Sequence, residues 1–202
     1  MDREIPSPQD RIIIEKQIGR RPRGLLYVAT RCPFGAPQVI ITHPLPGCRE
    51  HSPRRHSEVT CVFPTVYWLT CPALVRSVSV LEASGEIERF KEIIEKDKDK
   101  RERLAAAHRE YARDRVSLLT GEERAWISHE MPGIWKAITT RGVAGIRPDN
   151  YGGIKCLHGH YAHYVAGGDN PVGELVSGAI RAYGLPESCG QDNGLPRGWC
   201  TG

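Results

Sequence analysis

The chain has 202 residues, of which 40% are hydrophobic and 26% charged, with a formal net charge of +4. This is enough chain for one well-buried core at an ordinary globular composition, and the mild basicity permits an anionic partner without demanding one. The first residues, Met1-Asp2-Arg3-Glu4-Ile5-Pro6, form no apolar signal region, and no run approaches the roughly 18 apolar residues of a membrane span. A cytoplasmic protein with no membrane segment is expected.

Ser7 followed by Pro8, with Asp10 in the first turn, starts a helix: a capping hydroxyl, then a proline where its missing N–H does no harm. Ile12, Ile13, Ile14 and Ile18 give it an apolar side, and Gly19 is its stop. Leu25 to Thr30 reads as a strand and Gln38 to Thr42 as a second, joined through Cys32-Pro33-Phe34-Gly35 as in a hairpin. The polar, proline-interrupted stretch from His43 to Thr60 reads as a surface excursion. Its Cys48, His51 and His56, with Cys61, match no common zinc spacing. A third strand over roughly 65–70 runs into Cys71-Pro72, which places Cys71 at the N-cap of a helix reaching Ala83.

One long helix is expected from Glu86 towards Leu119. Ile87, Phe90, Ile93 and Ile94 supply an apolar stripe at its start, but Glu95 to Arg103 supplies none. Charges there fall at helical spacing instead, pairing Glu92 with Lys96, Asp97 with Arg101 and Asp99 with Arg103. Ten Lys/Arg stand against nine Asp/Glu over 86–115. The mixed sign argues against nucleic acid and for a solvated arm projecting from the core, a surface on which a protein partner would dock. Two short helices joined at Met131-Pro132-Gly133 should follow, with Trp126 and Trp135 in the core. A last helix starts at Asn170-Pro171 and ends near Tyr183-Gly184. The fold class is therefore α+β: a small sheet of about three strands covered by helices, with one long charged helix. Residues 1–185 are read as one domain and 186–202 as a disordered tail.

Chemistry concentrates in Lys155-Cys156-Leu157-His158-Gly159-His160-Tyr161-Ala162-His163. If Lys155 to Ala166 is helical, Cys156, His160 and His163 share a face within about 60°. Ile154, Leu157, Tyr161 and Val165 then mark the opposite, core-facing side, with His158 beside them. That polar face either closes a metal or catalytic cleft, or is solvated over an inert Cys156 and a core His158. The seven cysteines include no Cys-x-x-Cys, so a metal site would be assembled from distant segments. Cys32 and Cys71 each follow a strand and precede a proline, so both thiols could emerge at one end of the sheet. With Cys156 and one of His158, His160 or His163 they would make a Cys3His set for zinc, or for iron.

Arg31-Cys32-Pro33-Phe34-Gly35-Ala36-Pro37, Phe63-Pro64-Thr65-Val66-Tyr67-Trp68-Leu69-Thr70-Cys71-Pro72, Leu81-Glu82-Ala83-Ser84-Gly85, Lys155-Cys156-Leu157-His158 and Gly168-Asp169-Asn170-Pro171-Val172-Gly173 together resemble the bacterial domain-of-unknown-function family numbered 501, over roughly residues 20–183. The resemblance implies a bacterial cytoplasmic protein whose genes sit near those for a septum-formation protein and an exopolyphosphatase. It carries no activity and hence no catalytic residue. The stretch from Cys48 to Cys61 is longer than the resemblance leads one to expect.

Three functional expectations follow. The first is a zinc-type metalloprotein with a structural or hydrolytic Cys/His centre. The second is a non-enzymatic adaptor that binds a protein partner through helix 86–119, linked by the resemblance to division or polyphosphate metabolism. The third is a metal-free enzyme with Cys71 or Cys156 as nucleophile and His158 as base.

Overall fold

A computed structural model describes residues 3–46 and 65–188. Cys48, His51, His56 and Cys61 of the expected excursion, and Cys189 and Cys200 of the expected tail, lie outside the described residues. The architecture is α+β. Three antiparallel strands, β1 (Leu25–Arg31), β2 (Pro37–Thr42) and β3 (Tyr67–Leu69), lie in the order β1-β2-β3. The turn between β1 and β2 closes through Cys32 N–H to Ala36 O (2.8 Å) and Gly35 N–H to Cys32 O (2.9 Å), with Gly35 at φ +81°.

Helix α1 (Pro8–Ile18) begins as the sequence predicts, with a reciprocal capping box between Ser7 and Asp10 and a left-handed Gly19 after its end. Arg31 fastens it to β1, with Nη1 2.7 Å from Asp10 Oδ1, and this holds the Asp10 carboxyl down at about 2. Helix α2 (Pro72–Ala83) has Cys71 as its N-cap, again as expected.

The expected helix from 86 to 119 is two helices, α3 (Glu86–Lys96) and α4 (Lys98–Ser117). Asp97 separates them: its backbone is extended, and its side chain caps α4 by accepting from Lys100 N–H. The Glu92–Lys96 pair forms at 3.6 Å. Asp97, however, pairs with Lys100, and Arg103 reaches Asp169 (2.6 Å) and Glu174 (3.1 Å) instead of Asp99. Nor does the long charged helix project from the core. Leu104, Ala107, His108, Tyr111, Ala112 and Arg115 of α4 are buried, and the Arg115 guanidinium donates to the carbonyls of Ile138 (2.8 Å) and Arg141 (2.9 Å).

Two short helices, α5 (Gly121–Glu130) and α6 (Pro132–Thr140), meet at Met131 and form a satellite core with Leu45 and Leu119. Trp126 is exposed, against expectation. After two 3-10 turns come α7 (Leu157–Val165) and α8 (Pro171–Ala182). Residues 186–188, read as the start of a tail, are docked: Ser77 Oγ donates to Pro186 O at 2.8 Å and Ser188 is buried. No helix among the described residues is long and apolar enough to cross a membrane.

Helix α7 is the centre of the molecule, with no exposed residue along its length. Leu157 and Tyr161 pack into one core with α2, α3 and α8, while Ala162 and the following Ala166 pack into another with the sheet and Tyr111. It lies close on α8 at Gly173, where an added Cβ would stand 2.2 Å from Tyr164 Cβ and 2.9 Å from His160 O. Gly173→Ala must therefore push the two helices apart, and thermal melting should show a loss of about 1–3 kcal/mol or more. Gly178→Ala on the same helix meets nothing within 4 Å and should gain about 0.5–1 kcal/mol from helix propensity. Equal melting temperatures for the two variants would contradict this packing.

Candidate metal centre

Helix α7 starts at Leu157, two residues later than the Lys155 start read from the sequence. Cys156 is its N-cap, with extended backbone at φ −153° and ψ 120°, so the thiol leaves the helical spiral and does not share a face with His160 and His163. Cys156 and His158 turn together toward α2. There Val75, Ser79 and Glu82, spaced i, i+4 and i+7, present one stripe. His158 Nδ1 lies 4.0 Å from Cys156 Sγ and 3.3 Å from Glu82 Oε1. His158 Nε2 lies 3.2 Å from Val75 O and 3.3 Å from Ser79 Oγ. Glu82 Oε1 also accepts the Leu157 N–H at 2.6 Å, which orients the carboxylate and satisfies one of the free amides at the start of α7. Burial works against a charge on His158 but is outweighed by the Cys156 sulfur and the Glu82 carboxylate, and its pKa is pushed up to about 9.

His160 and His163 are fully buried, not solvated, and His158 is the partly exposed histidine, which reverses that alternative of the sequence reading. Asn170 holds both buried rings. Its Oδ1 accepts from Val172 N–H (3.1 Å) and Gly173 N–H (3.2 Å), capping α8. Because those amides can only donate, the orientation of the Asn170 amide is fixed. His160 Nδ1, 3.2 Å from Oδ1, must then carry a proton, and His163 Nδ1, 3.3 Å from Asn170 Nδ2, must be bare. A third buried ring, His108 on α4, packs edge-on against His160 and accepts the Val143 N–H at Nδ1 (3.1 Å).

Cys32 and Cys71 do lie at the same end of the sheet, because β1 and β3 both run antiparallel to β2. Both thiols are buried in one apolar cluster, at 6% and 1% exposure. Cys71, however, precedes the first turn of α2, whereas Cys156 sits beside Glu82 in its last turn, eleven residues or about 16 Å further along the axis. The Cys3His set is not assembled. Among the described residues, two other groups bring three donor atoms within 4.8 Å of one another: Glu82, Cys156 and His158; and Glu110, Asp114 and His163.

Tautomers separate the two groups. A neutral histidine that binds metal through one nitrogen keeps its proton on the other and donates it. His158 satisfies this condition, since Nε2–H points to a carbonyl and Nδ1 faces the sulfur and the carboxylate. His163 does not: its Nδ1 accepts from Asn170, so Nε2 keeps the proton and a metal there would require an imidazolate. The second group is instead a buried N–H set near two carboxylates, one of which accepts the Tyr67 hydroxyl at 2.7 Å.

Glu82 and His108 were not singled out from the sequence. Ser79 and Glu82, three apart on α2, were the available signal for the first. His108 sits in the stripe Leu104, His108, Tyr111, Arg115, where half of the side chains are polar.

The family described as Protein of unknown function (DUF501) matches residues 28–178. The chain belongs to this family. No curated protein and no solved structure matches it.

The buried rings give this DUF501 member a defined acid response. Burial, above all, lowers the pKa of His108 to about 4, of His160 to about 3 and of His163 to about 4. Above the ordinary value of about 6.5 all three are neutral, folded or unfolded. As pH falls from there towards about 4, the unfolded chain takes up protons that the folded chain refuses. Stability should then fall by up to about 1.4 kcal/mol per pH unit for each ring. His108→Asn, which keeps an acceptor for Val143 N–H, should make the slope shallower in a pH series of melts. An unchanged slope would remove His108 from the account.

Proposed function

We propose that this protein binds one zinc-type divalent ion through Glu82, Cys156 and His158. The observation that carries the reading is that sulfur, imidazole and carboxylate converge on one side of His158, while its other nitrogen is committed to Val75 O. Tetrahedral zinc with bonds of about 2.0–2.3 Å holds its ligands roughly 3.3–3.8 Å apart. The separations of 3.3 and 4.0 Å therefore need only small side-chain adjustments. Thiolate with imidazole and carboxylate suits zinc, and tolerates iron, better than magnesium or calcium, which take oxygen ligands.

Three protein ligands leave a fourth position for water, and the His158 and Glu82 side chains are both partly exposed. The two anionic ligands neutralise a divalent ion, so that water is acidified less than at an all-histidine centre. A binding or structural role is thereby favoured over hydroxide generation. The ion would tie the start of α7 to the last turns of α2.

Untagged protein purified without chelator should carry about one zinc or iron per chain by plasma mass spectrometry, and lose several degrees in melting temperature when the ion is stripped. Cys156→Ser and His158→Asn should lose the ion, whereas Cys71→Ser should keep it. An ion retained in both Cys156→Ser and His158→Asn would refute this centre. One observation favours a metal-free thiol nucleophile as a second reading, namely the 4.0 Å approach of Cys156 Sγ to His158. Against it, Glu82 shares the same nitrogen.

A further inference from the structure

We infer that Cys156 is a peroxide-modifiable thiol whose oxidation releases the ion from the centre. This rests on the metal-binding reading above. Cys156 is the sole sulfur among the three donors, and it lies at the partly exposed start of α7. The other two described thiols, Cys32 and Cys71, are buried in the apolar core. A metal holds its cysteine ligand as thiolate, the form that attacks peroxides. The partial exposure of His158 and Glu82 on either side leaves a path for a small oxidant.

In the step itself the Cys156 sulfur attacks one oxygen of a hydroperoxide. The S–O bond forms, the O–O bond breaks, sulfur is oxidised by two electrons, and the departing oxygen leaves as hydroxide, or as alkoxide from an organic peroxide. The product is a sulfenic acid, a far poorer ligand than thiolate. Glu82 and His158 alone are then too few donors to retain the ion against water. Among the described residues no second thiol stands beside Cys156: Cys71 lies beyond the opposite end of α2 and Cys32 is also in the core. Two equivalents of an external thiol return the sulfenic acid, the first forming a mixed disulfide with loss of water and the second releasing Cys156 as thiol.

The test uses the full chain loaded with zinc and titrated with hydrogen peroxide. Released zinc is read with a chromogenic chelator, and sulfenic acid is trapped with a cyclic 1,3-dione and located by peptide mass mapping. The expected result is adduct on Cys156 rising in step with released zinc, about one for one. In a parallel arm without trap, dithiothreitol removed before zinc is restored should recover binding. Zinc release without adduct on Cys156, or adduct with zinc retained, would overturn the inference while leaving the metal centre standing. Failure of untreated protein to bind zinc at all would overturn both, and is separately visible before any peroxide is added.

Discussion

The side chain of Asn170 sets the rotation of α7, and much of the interior follows from that setting. Its Oδ1 must accept from the first free amides of α8, which leaves its Nδ2 pointing at His163 and turns Nδ1–H of His160 towards Oδ1. With both rings drawn to Asn170, His158 is carried about 140–200° around the helix axis, to the side that faces α2. An alanine at 170 would leave an α8 end uncapped and two buried rings without partners, each deficit of the order of 1–3 kcal/mol. The close approach at Gly173 works with the amide: no side chain separates α8 from α7 there, so the cap can reach both histidines.

Burial on two sides of α7 explains why a single amphipathic face was the wrong pattern to seek. An amphipathic reading assumes one apolar stripe and one wet one. Here Leu157 and Tyr161 serve one core and Ala162 the other, and the polar stripe between them faces inward, where Asn170 takes Nδ1 of both His160 and His163. The same confusion hid the inner face of α4. Its charge-rich first turns suggested a solvated arm, yet the half after Arg103 carries its buried stripe on His108 and Arg115 as much as on Leu104 and Tyr111. Counting apolar residues cannot find a face of that kind, because its polar members are buried by hydrogen bonds to carbonyls and amides contributed by distant segments.

Local chemistry, by contrast, was legible. Ser7 with Asp10, Pro72 after Cys71 and Pro171 after Asn170 are capping patterns whose geometry is decided within four residues, and each starts its helix where predicted. The three strands appear near their expected ranges, and Cys32 and Cys71 lie at a common end of the sheet because two consecutive antiparallel pairings return the chain to its first direction. What local chemistry could not supply was the distance along α2 between Cys71 and Glu82, which separates the two thiols. Neither could it supply the extended backbone at Cys156, which removes that residue from the histidine face.

These two features place one thiol with one histidine and one carboxylate instead of gathering three thiols. The metal centre we propose would depend on the fold more than a Cys3His set, because only one of its donors brings the strong sulfur bond that can itself organise a chain. Its other two donors must be aimed beforehand. Glu82 is aimed by the Leu157 amide and His158 by Val75 O, both backbone groups in helices already fixed by packing on apolar residues. The rotation set by Asn170 on the far side of α7 thus decides whether His158 Nδ1 meets the sulfur at all. Loosening that cap should degrade the donor geometry without touching a single ligand, and this ties the buried histidines of one core to the chemistry at the edge of the other.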